Sequence, residues 1–197
     1  RVVPRAGAPE SFADLTAQLQ PAVVNISTRQ RIEVPTSSGN PFAGTPFEGL
    51  FGQRGGAQQE PQYREGQSLG SGFIISADGY VVTNNHVVSP TGRGTVEEIT
   101  VIMPDGTEHN AELVGTDASS DLAVLKISGS KAFPFVEFGD SRQARPGDWV
   151  VAIGNPFGLG GTVTSGIISA IQRVTGQGGA YDRYIQTCLL YTSPSPR

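Results

Sequence analysis

Two Asp-Gly pairs constrain this chain more than any other feature. Asp78-Gly79 stands inside GFIISADGYVVT and Asp105-Gly106 inside EEITVIMPDGTEHNAELVG, each between runs rich in β-branched residues. Asp-Gly in that setting is the strongest short hairpin signal, because tight hairpin turns need positive φ and these two residues tolerate it. DLAVLKI (Asp121 to Ile127) reads as a further strand, and DWVVAIG and GTVTSGIISAI as two more joined by the turn-rich NPFGLG. No helical stretch separates these strands. Parallel βαβ units are therefore disfavoured, and the spacing predicts an all-β barrel or sandwich. The composition agrees, since 26 glycines and only 16% charged residues among 197 suit short strands joined by many turns.

Upstream, Ser11-Phe12-Ala13-Asp14 has the form of a capping box, and Phe12, Leu15 and Leu19 recur at helical spacing until Pro21 stops the helix. AVVNIST (Ala22 to Thr28) then reads as a short strand. From about 35 to 70 the composition shifts to Gly, Pro, Gln and Ser without periodicity, which is long for a loop inside a compact domain. Phe42, Phe47, Leu50 and Phe51 give it apolar surface that a solvated linker has no use for, so the expectation is an excursion that docks, for instance on another subunit. The first residues, RVVPRAG, lack the apolar core of a signal peptide and fit either a mature terminus left after cleavage or an arbitrary start.

Several classes are disfavoured at once. A net charge of -4 leaves no basic surplus to neutralise phosphates, so neither nucleic acid nor an anionic membrane is expected as a partner. No apolar run approaches the ~18 residues of a membrane span. With Cys188 the only cysteine and His86 and His109 the only histidines, a disulfide within the chain is excluded and a structural zinc disfavoured.

The candidates for chemistry are few. His86, in YVVTNNHVV, ends a hairpin strand between Asn84-Asn85 and Val87-Val88; a lone strand-end histidine there can simply pack and hydrogen-bond. His109 lies in the alternating GTEHNAE, on a face expected to be solvated. Asp78, Asp105 and Asp117 sit in turns, where backbone geometry alone accounts for an Asp. Asp121 differs, because it opens an apolar strand directly after Ser119-Ser120, and a carboxylate entering a buried region needs a partner such as a histidine N–H. Gly66-Gln67-Ser68-Leu69-Gly70 matches the nucleophile elbow G-x-S-x-G but lacks its strand-before, helix-after setting, so an α/β-hydrolase is rejected. Ser165 reads as an ordinary strand residue, and Ser193 and Ser195 stand among prolines with nothing to hold a catalytic geometry.

TNNHVV, SSDLAVLKI and VAIGNPFGLGGTVTSGIISAIQR together closely resemble the HtrA (DegP-like, or Do) serine endopeptidases, over about residues 12 to 187. The resemblance implies a trypsin-like double β-barrel with the active site between the barrels, and likens the Gly/Gln-rich excursion to the long regulatory loop of the family's first barrel. It divides the chain into a 1–20 segment with a short helix, a first barrel over 21–140 that includes the loop at about 35–70, and a partial second barrel over 141–187. His86 matches the family's catalytic histidine and Asp121 its catalytic aspartate, in the chain order His, Asp, Ser. It further implies unfolded polypeptides as substrates, a homotrimer-based assembly, a periplasmic location, PDZ domains downstream and no cofactor or metal.

The resemblance breaks after Thr187. Where the family runs on into Gly-Asn-Ser-Gly-Gly, which supplies the nucleophile and the oxyanion hole, this chain has CLLYTSPSPR. Those residues are also the translation of TGT CTC TTA TAC ACA TCT CCG AGC CCA CGA, which resembles a transposase-type sequencing adapter read in frame. The expectation is that 188–197 is non-native, that no nucleophile is present in the chain as written, and that it is inactive as a peptidase. A barrel that stops partway would expose strand edges and invite aggregation. The alternative is a native tail on a non-catalytic chaperone or peptide-binding module.

Overall fold

The computed structural model describes residues 9–34, 62–90, 92, 94–154, 161–174 and 184–189. It consists mostly of strands. Helix α1 (Ala13–Leu19) runs into a 3-10 turn over Gln20–Ala22, where Pro21 closes the helix as its spacing predicts. The start differs from the expected capping box by one residue. Phe12 takes the N-cap position, and Ser11 Oγ accepts from the Ala13 N–H at 3.1 Å.

Six strands follow: β1 (Val23–Val34), β2 (Gln62–Ile74), β3 (Tyr80–Asn84), β4 (Gly94–Ile102), β5 (Glu108–Asp117) and β6 (Leu122–Ile127). They close into an antiparallel barrel in the order β1-β2-β3-β6-β5-β4. Both Asp-Gly pairs make the turns the sequence predicts, with Gly79 at φ +97° and Gly106 at φ +84°. The barrel interior is packed by fully buried Val24, Ile26, Ile74, Val81, Val101, Leu125 and Ile127.

Two strands are longer than the sequence suggests. β1 continues past Thr28 because its ladders run on, to β2 as far as Val34 and to β4 as far as Ile32, and its outward residues Arg29 and Arg31 also pair with Glu98 (3.4 Å) and Glu97 (2.9 Å) on β4. β2 begins at Gln62, so 62–70 is not part of an excursion but a polar strand held by its ladder to β1. Gly66 leaves room there for the Ile32 side chain, whose Cδ1 lies 2.7 Å from where a Cβ would stand. The apolar residues Phe42, Phe47, Leu50 and Phe51, and the segment from 35 to 61, lie outside the described residues.

A second sheet of three strands has the order β7-β8-β9, from β7 (Trp149–Gly154), β8 (Thr162–Arg173) and β9 (Tyr184–Leu189). β9 crosses the Thr187 boundary, with Cys188 opposite Ile167 and Leu189 opposite Gly166. Ladder bonds are made by backbone and are indifferent to side-chain origin, so pairing extends into the segment read as foreign. The start of α1 meets the second sheet, with the Phe12 and Trp149 rings 5.8 Å apart.

Candidate active site

β3 carries the chain to the rim of the barrel, and there it turns into a single helical turn, α2 (Asn85–Val88), with His86 on its exposed side and Val87 and Val88 buried. Such a short turn cannot satisfy its own backbone ends. Its first N–H groups are met from the start of β6: Asn85 donates to the Asp121 carbonyl at 3.0 Å, and the His86 N–H to Asp121 Oδ1 at 2.9 Å. Its last carbonyls are met from β1, where buried Thr28 donates to Val87 O (3.4 Å) and buried Gln30 to Ser89 O (3.2 Å). Gly70 on β2 supplies the remaining space, since a Cβ there would stand 2.5 Å from Val87 Cγ2.

This scaffold brings His86 Nδ1 to 2.6 Å from Asp121 Oδ2. The two residues singled out in the sequence therefore meet, 35 positions apart in the chain. Asp121 sits in the left-handed region, at φ 54°. The amide Nδ2 of Asn84 reaches both its carbonyl (3.1 Å) and its Oδ2 (3.3 Å). The His86 backbone N–H, then the His86 ring, hold the Asp121 carboxyl below the ordinary carboxylate range, and Asn84 adds to them. An ionised carboxylate only accepts, so the ring nitrogen facing it carries the proton, and Nε2 is left as the basic nitrogen.

Asp121 was expected to be buried, yet its side chain is 44% exposed and that of His86 70% exposed. The carboxylate is held by hydrogen bonds at the barrel rim, not by enclosure: Asp121 stands one residue before β6, whose buried positions begin only at Ala123. His109 also differs from its solvated reading: it is half-buried, edge-on to Phe133 at 5.2 Å, with Nδ1 3.2 Å from the Ser128 carbonyl. It takes no part in the pair.

The pair stands beside an apolar cleft of about 830 Å³ between barrel and second sheet, lined by Asn84, Leu122, Phe138, Val151 and Ile153 among others. Ser68 lies in β2 opposite Thr28, and Ser165 in β8 opposite Val151, both in strand settings. Among the described residues no serine hydroxyl bonds to His86, and no three His, Cys, Asp or Glu side chains converge as a metal site. Ser193 and Ser195 lie outside the described residues. Thr28, Gln30 and Asn84 were missed as site residues. Parity could have found the first two, since Val24, Ile26, Thr28 and Gln30 share one face of β1 and polar residues continuing a core face need a purpose.

A closed six-stranded barrel with a His–Asp pair at its rim and a second sheet across a cleft defines a trypsin-like architecture. The family model described as Trypsin-like peptidase domain matches residues 70–195, and the chain belongs to that family. Its relatives narrow the group to the HtrA, DegP-like proteases. The chain is 45% identical over 209 residues to a probable periplasmic serine endoprotease DegP-like of Brucella suis, covering 93% of this chain and 39% of that protein. It is 43% identical over 208 residues to the protein of the same description in Rhizobium meliloti, covering 92% and 40%. Among solved structures, a variant of the HtrA-type protease AlgW with decapeptide matches with a TM-score of 0.72 at 39% identity, over 91% of this chain and 51% of that one. AlgW with tripeptide matches at 0.63 and 38%, over 89% and 45%. The chain thus spans about two-fifths of the length of its curated relatives.

Proposed function

We propose that this protein derives from a serine endopeptidase of protein quality control, in which His86 is the general base and Asp121 the group that orients it. The observation carrying this reading is the 2.6 Å contact between His86 Nδ1 and Asp121 Oδ2, backed by the His86 N–H on the other carboxylate oxygen. In that arrangement Nε2 takes the proton of a serine hydroxyl and later delivers it to the leaving amine, while Asp121 stabilises the imidazolium. Unfolded polypeptide is the proposed substrate, with the cleft beside the pair as the place where an extended segment lies. The names of the relatives support a periplasmic location, and the proposed assembly is trimeric. No helix among the described residues is long and apolar enough to cross a membrane. No cofactor or metal is called for, because the triad generates its own nucleophile.

No residue of this chain matches the family's nucleophile, so the chain as written is proposed to be inactive. Loss of the serine costs on the order of 10^6 in turnover, and the residual activity of such variants depends on an oxyanion hole. Casein incubated with this chain should stay intact. Cleavage abolished by His86→Ala would reveal a nucleophile and overturn the inactivity. A second reading, a module that holds denatured chains without cutting them, draws on the exposed apolar surface at the cleft, where Phe138 is 72% exposed. It requires that genomic DNA continue past the Thr187 codon as CLLYTSPSPR, which sequencing the locus decides.

A further inference from the structure

Asn84 occupies the N-cap of α2, the position where an Asn side chain ordinarily accepts from a backbone N–H of the first turn. Here it makes no such bond. The α2 N–H groups go instead to Asp121, and the Asn84 amide turns outward onto that same residue, bridging its carbonyl and its Oδ2. The Asp121 carbonyl accordingly accepts twice, from Asn85 N–H at 3.0 Å and from Asn84 Nδ2 at 3.1 Å. Those bonds fall on the one non-glycine residue with positive φ among the described residues. Left-handed backbone in such a residue persists where its surroundings over-determine it.

We propose that Asn84 is a positioning residue for the His86–Asp121 pair: its amide clamps Asp121 by carbonyl and carboxylate together, holding the backbone that turns the carboxylate onto the imidazole. The proposal deepens the peptidase reading and rests on it for its purpose. In structural terms the capping duty is exchanged. Asp121 caps α2 from a distance, and Asn84 in return fixes Asp121. An Asn serves where an Asp would not, because only the amide donates and a second carboxylate would repel the first. Since Asn84 is exposed, its replacement leaves the barrel core untouched.

The test is amide hydrogen exchange and 15N-histidine NMR on this chain, comparing Asn84→Ala and Asn84→Asp with the parent. Both variants are expected to speed exchange at the His86 amide by at least about tenfold and to weaken the low-field Nδ1–H signal of His86, while the Ile26 and Leu125 amides keep their rates. Asn84→Asp should be no milder than Asn84→Ala despite its matching shape. An unchanged His86 amide in Asn84→Ala would overturn the proposal. So would acceleration shared equally with the core amides, which marks a merely structural role. Neither outcome touches the peptidase reading, which stands or falls on His86-dependent cleavage.

Discussion

Gly70→Ala puts two effects of known sign against each other. Gly70 has an ordinary backbone conformation, so in open space an added methyl would stabilise by about 0.4–1 kcal/mol through the unfolded chain. The space is not open. The new Cβ would stand 2.5 Å from Val87 Cγ2 and 2.8 Å from Cγ1, where ordinary contact begins at 3.4 Å, so Val87 must retreat by roughly 0.9 Å. Val87 is β-branched with a stiff χ1 and is buried, so the retreat falls on the α2 backbone and carries His86 with it. Overpacking of this kind costs about 1–3 kcal/mol, and after the opposing entropy term a net loss of roughly 0–2.6 kcal/mol remains. At about 2–4 °C per kcal/mol for a chain of this size, Tm should fall by up to roughly 10 °C, read by far-UV circular dichroism. In a Val87→Ala background both clashing methyls are gone and only the residue 87 Cβ, at 3.2 Å, stays tight, so the same substitution should cost little or nothing, a coupling of about 1–3 kcal/mol. A higher Tm for Gly70→Ala alone, or an equal cost in both backgrounds, would refute the packing argument.

Further outcomes follow from the same contacts. Because its hydrogen bonds depress the Asp121 pKa in the folded chain, its contribution is present above the ordinary carboxylate pKa and is lost as pH falls through the lowered folded value. Asp121→Asn should therefore flatten part of the acid limb of a Tm-against-pH profile, and an unaltered limb would contradict this. Thr28→Val leaves the Val87 carbonyl without its buried donor and should cost about 1 kcal/mol in urea denaturation at unchanged m. Gly79→Ala forces a methyl onto φ +97° against the Ile127 carbonyl and should be among the most damaging single methyls in the barrel, by more than about 1 kcal/mol. A neutral result at either position would remove the contact from the account.

Much of this fold was legible because its signals are local. Asp78-Gly79 and Asp105-Gly106 declare their turns without reference to anything distant, and DLAVLKI alternates between a packed and an open face. The start of β2 was not legible. Gln62 to Gly70 carries almost no apolar side chain, and its strand exists because β1 offers a ladder, information held some 28 to 44 residues away, from Val34 opposite Gln62 to Ile26 opposite Gly70. His86 and Asp121 were found by motif, but their meeting depends on the β3–β6 pairing that places Asn84 opposite Leu122. The sequence places the Asp121 carboxylate in the interior for a related reason: it does not show that β6 starts one residue later, which leaves Asp121 at the rim of the barrel. The part of Asn84 is invisible in the sequence, since an Asn before a helical turn reads as a cap, and only the fold turns its amide the other way.

The most direct measurement of the central claim is casein hydrolysis by the protein translated from the genomic locus across the Thr187 codon, with and without His86→Ala. The unaltered protein should hydrolyse casein, and the variant should lose on the order of 10^4–10^6 in rate. Undiminished hydrolysis by the His86→Ala variant would contradict it.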